Sequence, residues 1–268
     1  APTGFKNLNT ANLPAPTVKD PSKYFQTVIY TGDTNNNRNI TGFQDAAGNN
    51  ITPDLVWIKG RSNATSHYLQ DVVRGFGGSK ELMTDGTQAE GSQGTGNGYI
   101  GGVVAGGFTA VDGGTNDVYV NENGRTYVAW MWKAGGSAGS NSNGSITSSV
   151  SVADHGGFSI GTFTAGSNGA ITIGHGLSRA PDIVIVKDTS ATGQWWTYLG
   201  PEGAGKYVAL NSDGASASST AVWNNTAPTS SVFSTQDNGA WLTAGNDHVF
   251  YAFAKTPGLI GIGSYTGN

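Results

Sequence analysis

The chain has 268 residues, 42 glycines, no cysteine, 12% charged residues and a formal net charge of −4. Glycine at about twice its usual share and charge at about half exclude helical bundles and coiled coils, while 14 basic against 18 acidic residues exclude the clustered Lys and Arg that phosphate neutralisation requires. No apolar run approaches the roughly 18 residues of a membrane helix, and no thiol is present for disulfides, zinc or nucleophilic catalysis, so no nucleic-acid partner, no membrane insertion and no cofactor are expected.

Apolar and polar residues alternate over short runs that Gly, Asn, Asp and Pro interrupt, the period-2 signal of strands, and no ten-residue window has a helical period. Residues 1–22 hold four prolines and read as an extended tether. Strands are predicted in turn at Phe25–Thr31, Leu55–Lys59, His67–Val73, Gly107–Asp112 and Tyr127–Trp132, which make residues 23–134 a first unit. Residues 135–144 (GGSAGSNSNG) have the composition of a flexible linker. In the second unit, 145–258, strands follow at Ile146–Val152, Phe158–Thr164, Ile183–Lys187, Gln194–Leu199, Tyr207–Leu210, Val232–Thr235 and Val249–Ala254. The first two of these read as an extra hairpin at the entrance of the unit. A last strand, Ile260–Thr266 within 259–268, resembles the opening strand of a further repeat. Many short strands between turn signals define an all-β fold, here two tandem antiparallel β-sandwiches of jelly-roll or concanavalin-like type.

The two units are copies of one strand programme. TPDLVWIK at Thr52 matches APDIVIVK at Ala180, with Pro53 on Pro181 and Lys59 on Lys187, an offset of 128. The offset falls from 133 at the opening strands (Phe25, Phe158) to 121 at the closing ones (Val128, Val249), so the first unit has the longer loops. Duplication serves as an internal control: a position kept or conservatively replaced in both copies serves the fold. Trp57, Trp130 and Trp132 fall on Ile185, Tyr251 and Phe253 and read as core. Leu55–Ile58 and Ile183–Val186 are apolar on both faces, which calls for a second cover from the tandem unit, the N-terminal tail or another subunit. Trp195 and Trp196 fall on His67 and Tyr68, so one of each pair is expected to face inward. Trp195, Trp223 and Trp241 are the tryptophans that the duplication leaves unexplained, and they are the candidate ligand-stacking residues.

No constellation points to chemistry. The carboxylates lie mostly in turns, and Asp71 and Glu202, the strand-adjacent ones, have no acidic neighbour at i±2, whereas glycan hydrolysis needs a carboxylate pair. His67, His155, His175 and His248 lack metal-binding spacing. The turn Asp112–Asp117 (DGGTND) resembles half of a calcium loop without its closing Glu and reads as a hairpin turn. No catalytic residue and no metal ligand are expected.

The series YFQTVIYTG, PDLVWIKGR, HYLQDVVRG, YVAWMWKAGG, GFSIGTFTAG, GHGLSRAPDIVIVKD and GSYTGN, running from Tyr24 to the end, resembles an uncharacterised tandem β-domain of virion proteins from marine tailed bacteriophages. APTGFKNLNTANLPAPT, ahead of it, resembles the end of a SPRY-like domain, with Ala1 then an excised or processed end. The resemblance implies a virion structural protein, outside the cell, of tail-fibre, spike or capsid-appendage type. Its implied partners are copies of itself in a homo-oligomer (a trimer among the fitting symmetries), other virion proteins and a host-surface glycan. It carries no catalytic residues. Where the chain departs from the pattern, at Gln194–Trp196 and in the loop from Gly75 to Gly106, ligand or partner specificity is expected to differ. The competing expectations are a polysaccharide depolymerase and a spacer with no ligand.

Overall fold

The computed structural model describes residues 16–166, 169–237 and 241–265. Among the described residues eighteen strands carry the fold, with one 3-10 turn at Pro21–Lys23. In the first unit β1 (Phe25–Thr31), β8 (Thr126–Trp132), β3 (Leu55–Gly60), β4 (Tyr68–Asp71) and β5 (Leu82–Met83) form one antiparallel sheet in the order 1-8-3-4-5. A second sheet, β2 (Arg38–Thr41), β7 (Gly107–Val111) and β6 (Tyr99–Val104), covers one of its faces. The first strand pairs with the eighth and the second with the seventh, the nesting found in jelly rolls.

The second unit repeats this plan ten strands later. β11 (Phe158–Thr164), β18 (Asp247–Phe253), β13 (Ile183–Asp188), β14 (Trp196–Leu199) and β15 (Lys206–Ala209) recur in the same order, and β12 (Gly169–Gly174) pairs with β17 (Val232–Asp237) as β2 does with β7. Two differences stand out. β16 (Ala217–Ser218), the sixth strand of the unit, joins the large sheet through β15, whereas β6 joins the small one. In addition, β9 (Gly139–Asn141) and β10 (Ser148–Val152) extend the second large sheet beyond β11.

Three cores follow from side-chain alternation. Val56, Ile58, Tyr68, Ala129 and Met131 face the small sheet of the first unit, where they meet Ile40, Ile100 and Phe108. Val184, Val186, Phe250 and Ala252 do the same in the second unit, against Ile171, Ile173 and Phe233. The opposite faces of the two large sheets pack on each other: Leu55, Leu69 and Leu82 meet Phe158, Ile160, Trp195, Val249 and Tyr251 in a shared seam core. The layers therefore stack small, large, large, small. The doubly apolar strands β3 and β13 have their second face covered by the tandem unit, so that feature is satisfied within one chain.

Residues repeated between the units hold this frame. Asp54 accepts from Ala134 N at 2.8 Å and from Lys133 Nζ at 2.9 Å, and Asp182 accepts from Lys255 N at 2.8 Å and Lys255 Nζ at 3.4 Å, so each copy ties the start of its third strand to the end of its eighth. Lys59 and Lys187 each bond a carbonyl of the following loop, Thr65 O at 2.6 Å and Ala191 O at 3.3 Å. Gly161 sits where a Cβ would fall 2.3 Å from the Phe250 ring of the neighbouring strand, so glycine there makes room for an aromatic.

Several expectations are corrected. Residues 135–144 are not a free linker: β9 lies within them and pairs with β10, and Gly135 N donates to Ser151 Oγ. The closing strand is absent from the described part of 259–268, where Ile260 makes one bridge to Thr256 and 261–265 form no strand. Most of the 1–22 tether lies outside the described residues, but Val18 is buried and its N–H reaches Pro257 O. β2, β5, β6, β9, β12 and β16 lie outside the predicted strands; they are short, glycine-rich or polar, and pairing rather than periodicity makes them strands.

Candidate functional site

The three candidate tryptophans have different fates. Trp195 is fully buried in the seam, and its indole N–H donates to Met83 O at 2.9 Å and Gly86 O at 3.1 Å of the first unit. Trp223 is 2% exposed in the core of the second unit, edge-on to Tyr198 at 5.9 Å. Neither ring is open to a ligand from solvent. Trp241 is half-buried and meets two other half-buried aromatics, Trp196 at 4.8 Å and Tyr207 at 5.4 Å, while Trp196 and Tyr207 lie 5.2 Å apart. The structure thus brings Trp241 into a trio whose other members were not singled out as ligand-stacking residues. They were separable in principle, because adjacent Trp195 and Trp196 must point to opposite faces of a strand.

The trio has a structural cause. In the first unit the position of Trp196 is held by Tyr68, which shares its core with Ile100 of β6 and is packed edge-on by Tyr119 at 4.6 Å. In the second unit the sixth strand has moved to the other sheet, leaving a two-stranded small sheet. Trp196, Tyr207 and Trp241 stand at the margin of that core with part of each ring accessible. Rings of this kind offer flat apolar faces beside polar atoms, the surface that stacks on the C–H face of a sugar.

A concavity of about 480 Å³ lies between the units. Its floor is the seam face of the second large sheet. Along β11, Phe158 and Ile160 belong to the seam core while Thr162 and Thr164, next on the same face, line the cleft. Ser149 pairs with both Thr162 and Ser140, which sets three hydroxyls in a cross-strand row. Its wall is the loop after β4. There Arg74 donates Nε to Asp71 Oδ2 at 2.7 Å and Nη1 to Glu90 Oε2 at 2.8 Å, and Lys80 Nζ meets Glu90 Oε1 at 2.7 Å. Tyr251 OH, from the second unit, donates to Asp71 Oδ2 at 2.7 Å. Burial opposes the Arg74 charge, but Asp71, Tyr251 and Glu90 outweigh it and hold the guanidinium pKa above its usual value. Burial, then Asp71, pushes the Tyr251 phenol up. Both Asp71 and Glu90 are thus committed to ion pairs.

The remaining titratable groups are structural in their surroundings. His175 accepts from Leu177 N at Nδ1 and faces Thr229 O through Nε2, and burial lowers its pKa, so the ring is neutral. Burial likewise lowers His67 and His155. In the Asp112–Asp117 turn, Asp117 accepts from Gly113 N at 2.6 Å, and burial, with Asp112 alongside, raises its carboxyl. Among the described residues no group of three or more His, Cys, Asp or Glu side chains is arranged to hold a metal ion. The Gly75–Gly106 stretch, expected as a loop, contains β5 and β6, and it meets the segment around Gln194–Trp196: besides the Trp195 bonds, Gly193 N donates to Thr87 O and Glu90 N to Thr189 O. Much of each departure from the repeat is spent on the seam.

The molecule is therefore a tandem β-sandwich protein with a continuous seam and a half-exposed aromatic trio at one margin. Residues 20–268 match the family described as a domain of unknown function, DUF7483, and the chain belongs to that family. No curated protein and no solved structure matches it.

Proposed function

We propose that the protein is a structural and adhesive module of a bacteriophage virion, part of a tail fibre, spike or capsid appendage. In this reading it assembles with copies of itself and other virion proteins and contacts a host-surface glycan. The sequence resemblance supports the virion setting. The observation that supports adhesion is the Trp196–Tyr207–Trp241 trio, three neighbouring aromatics left half-exposed where the equivalent tyrosine of the first unit is packed away. Of the three tryptophans first considered, Trp241 carries this role, with Trp196 and Tyr207 beside it; Trp195 and Trp223 serve the interior. The depolymerase alternative is disfavoured, because the two carboxylates that line the inter-unit cleft are engaged, Glu90 by Arg74 and Lys80 and Asp247 by the Thr164 hydroxyl.

The test is binding to purified host capsule or lipopolysaccharide. Trp241→Ala is expected to weaken binding, with a thermal melt of the same variant separating loss of the stacking ring from loss of its packing against the core. Equal binding by wild type and variant removes the trio from the reading, and no binding by wild type leaves the spacer. Release of reducing ends from the polysaccharide would establish a depolymerase instead.

A further inference from the structure

We propose that β1 is a self-association edge: two copies pair their β1 strands antiparallel about a two-fold axis and join their first large sheets into one. The inference names the surface behind the assembly part of the reading above and rests on that part alone.

The two large sheets have four edges. Three are closed by the short strands β5, β16 and β9, two or three residues each, a common way to blunt an edge. The fourth is β1, seven residues paired without interruption from Phe25↔Trp132 to Thr31↔Thr126. Its sequence, FQTVIYT, contains no charge and no proline, and its ladder has no bulge, so the usual protections of a long edge are missing. Lys133 N donates to Tyr24 O and Gly32 N to Arg125 O, which assigns the even-numbered residues to the bonds with β8. The N–H and C=O groups of Phe25, Thr27 and Ile29 consequently point at the free edge. Phe25 is 36% and Ile29 60% exposed, both on the face away from the small sheet.

The second unit shows what covers this edge. β11, the equivalent of β1, is paired on that side by β10 from Ser149↔Thr162 to Val152↔Ser159. No such strand lies beside β1 among the described residues. Residues 16–20 form no strand, and they are engaged elsewhere, through Val18 N to Pro257 O and Asp20 Oδ2 to Ala46 N. Among the described residues the place of β10 is thus open in the first unit. A second β1 fits it: antiparallel pairing of identical strands is isologous, brings no like charges together, and sets Phe25, Thr27 and Ile29 against apolar or hydroxyl partners. Because the outward-bonding residues are all odd-numbered, the axis falls on a residue rather than between two.

The cysteine-free chain makes the test clean. Only a residue at or beside the axis comes within disulfide reach of its own copy, a Cα separation of about 4.4–6.8 Å. One of Thr27→Cys, Val28→Cys and Ile29→Cys is therefore expected to cross-link under mild oxidation well above the other two and above Ser212→Cys, an exposed control. Sedimentation velocity of the 268-residue chain at tens of micromolar is expected to give a dimer. Ile29→Lys is expected to give a monomer with an unchanged circular dichroism spectrum, as is Thr27→Pro, which removes an outward N–H that β8 does not use. A monomeric wild type, whether its edge is bare or covered by its own chain, overturns the proposal. So does a dimer that survives both substitutions, or cross-linking no greater than at Ser212→Cys. Glycan binding by the Ile29→Lys monomer separates the outcomes: if the edge fails while Trp241-dependent binding persists, the adhesive reading stands, and in the opposite case the edge stands.

Discussion

Arg74→Met tests whether the polar hub at the seam holds the two units. Asp71 is fully buried at the end of β4 and accepts from Arg74 Nε at 2.7 Å, from Val73 N and Arg74 N at 3.0 Å each, and from Tyr251 OH at 2.7 Å. Removing the guanidinium leaves a buried carboxylate without its counter-charge, a change that costs about 3–5 kcal/mol. Three hydrogen bonds remain to Asp71, so the lower end applies, about 3 kcal/mol. For a chain of this size that lowers the thermal midpoint by about 6–12 °C. Scanning calorimetry of wild type, Arg74→Met and Asp71→Asn/Arg74→Met reads the effect, and the double variant is expected to recover most of the loss because no buried charge remains. A single variant within about 1 kcal/mol of wild type, or a double variant no better than the single, would refute the claim that Arg74 neutralises Asp71.

Trp195→Ala removes a fully buried ring and two bonds across the seam; about 3–5 kcal/mol is expected to be lost, with one calorimetric transition separating into two as the units uncouple. Tyr251→Phe deletes one hydrogen bond to Asp71 and is expected to cost about 1.5–3 kcal/mol, non-additively with Arg74→Met, as urea midpoints of the four-member cycle would show. Burial, partly offset by Asp188, lowers Lys187 to about 8. The unfolded chain, with a lysine pKa near 10.4, then binds more protons between those values, so stability is expected to rise with pH from about 8 to about 10. Lys187→Met should flatten that rise in urea midpoints taken across the window. Gly161→Val, whose Cβ meets the Phe250 ring at 2.3 Å, is expected to destabilise by about 1–3 kcal/mol, measured by thermal melting.

Periodicity located the strands that pack on a core. β1 and β11 fall on their predicted bounds, and β3, β8 and β13 within a residue of theirs, because alternating or doubly apolar runs leave few other arrangements. It missed β2 (RNIT) and β9 (GSN), whose strand character comes from a neighbour's hydrogen bonds and leaves little mark on composition. For the site, the duplication separated tryptophans with counterparts from those without, but it has no term for contacts between the copies. Trp195 lacks an aromatic counterpart because the seam is asymmetric at that point, where it reaches Met83 of β5 and Gly86 in the turn after it. Trp196 escaped notice through its match to Tyr68, although the same position is closed in one unit and open in the other.

That asymmetry gives two copies of one strand programme different outer surfaces. Repeated residues such as Asp54 and Asp182, or Lys59 and Lys187, perform the same structural bond twice. Two stacked copies need one seam and gain little from two identical outer margins. The long loop of the first unit is engaged at the seam, and its sixth strand closes its own sandwich. The second unit, with that strand moved to the large sheet, keeps a half-buried aromatic margin and gains a hairpin that pairs the edge which, among the described residues, has no partner on β1. Of these departures, the Gly75–Gly106 segment serves the seam, while the Trp241 margin and the β1 edge are the surfaces that the proposed ligand contact and self-association would use. The glycines that dominate the composition serve this frame as well as its turns, since at Gly161 the missing side chain is the space that Phe250 fills.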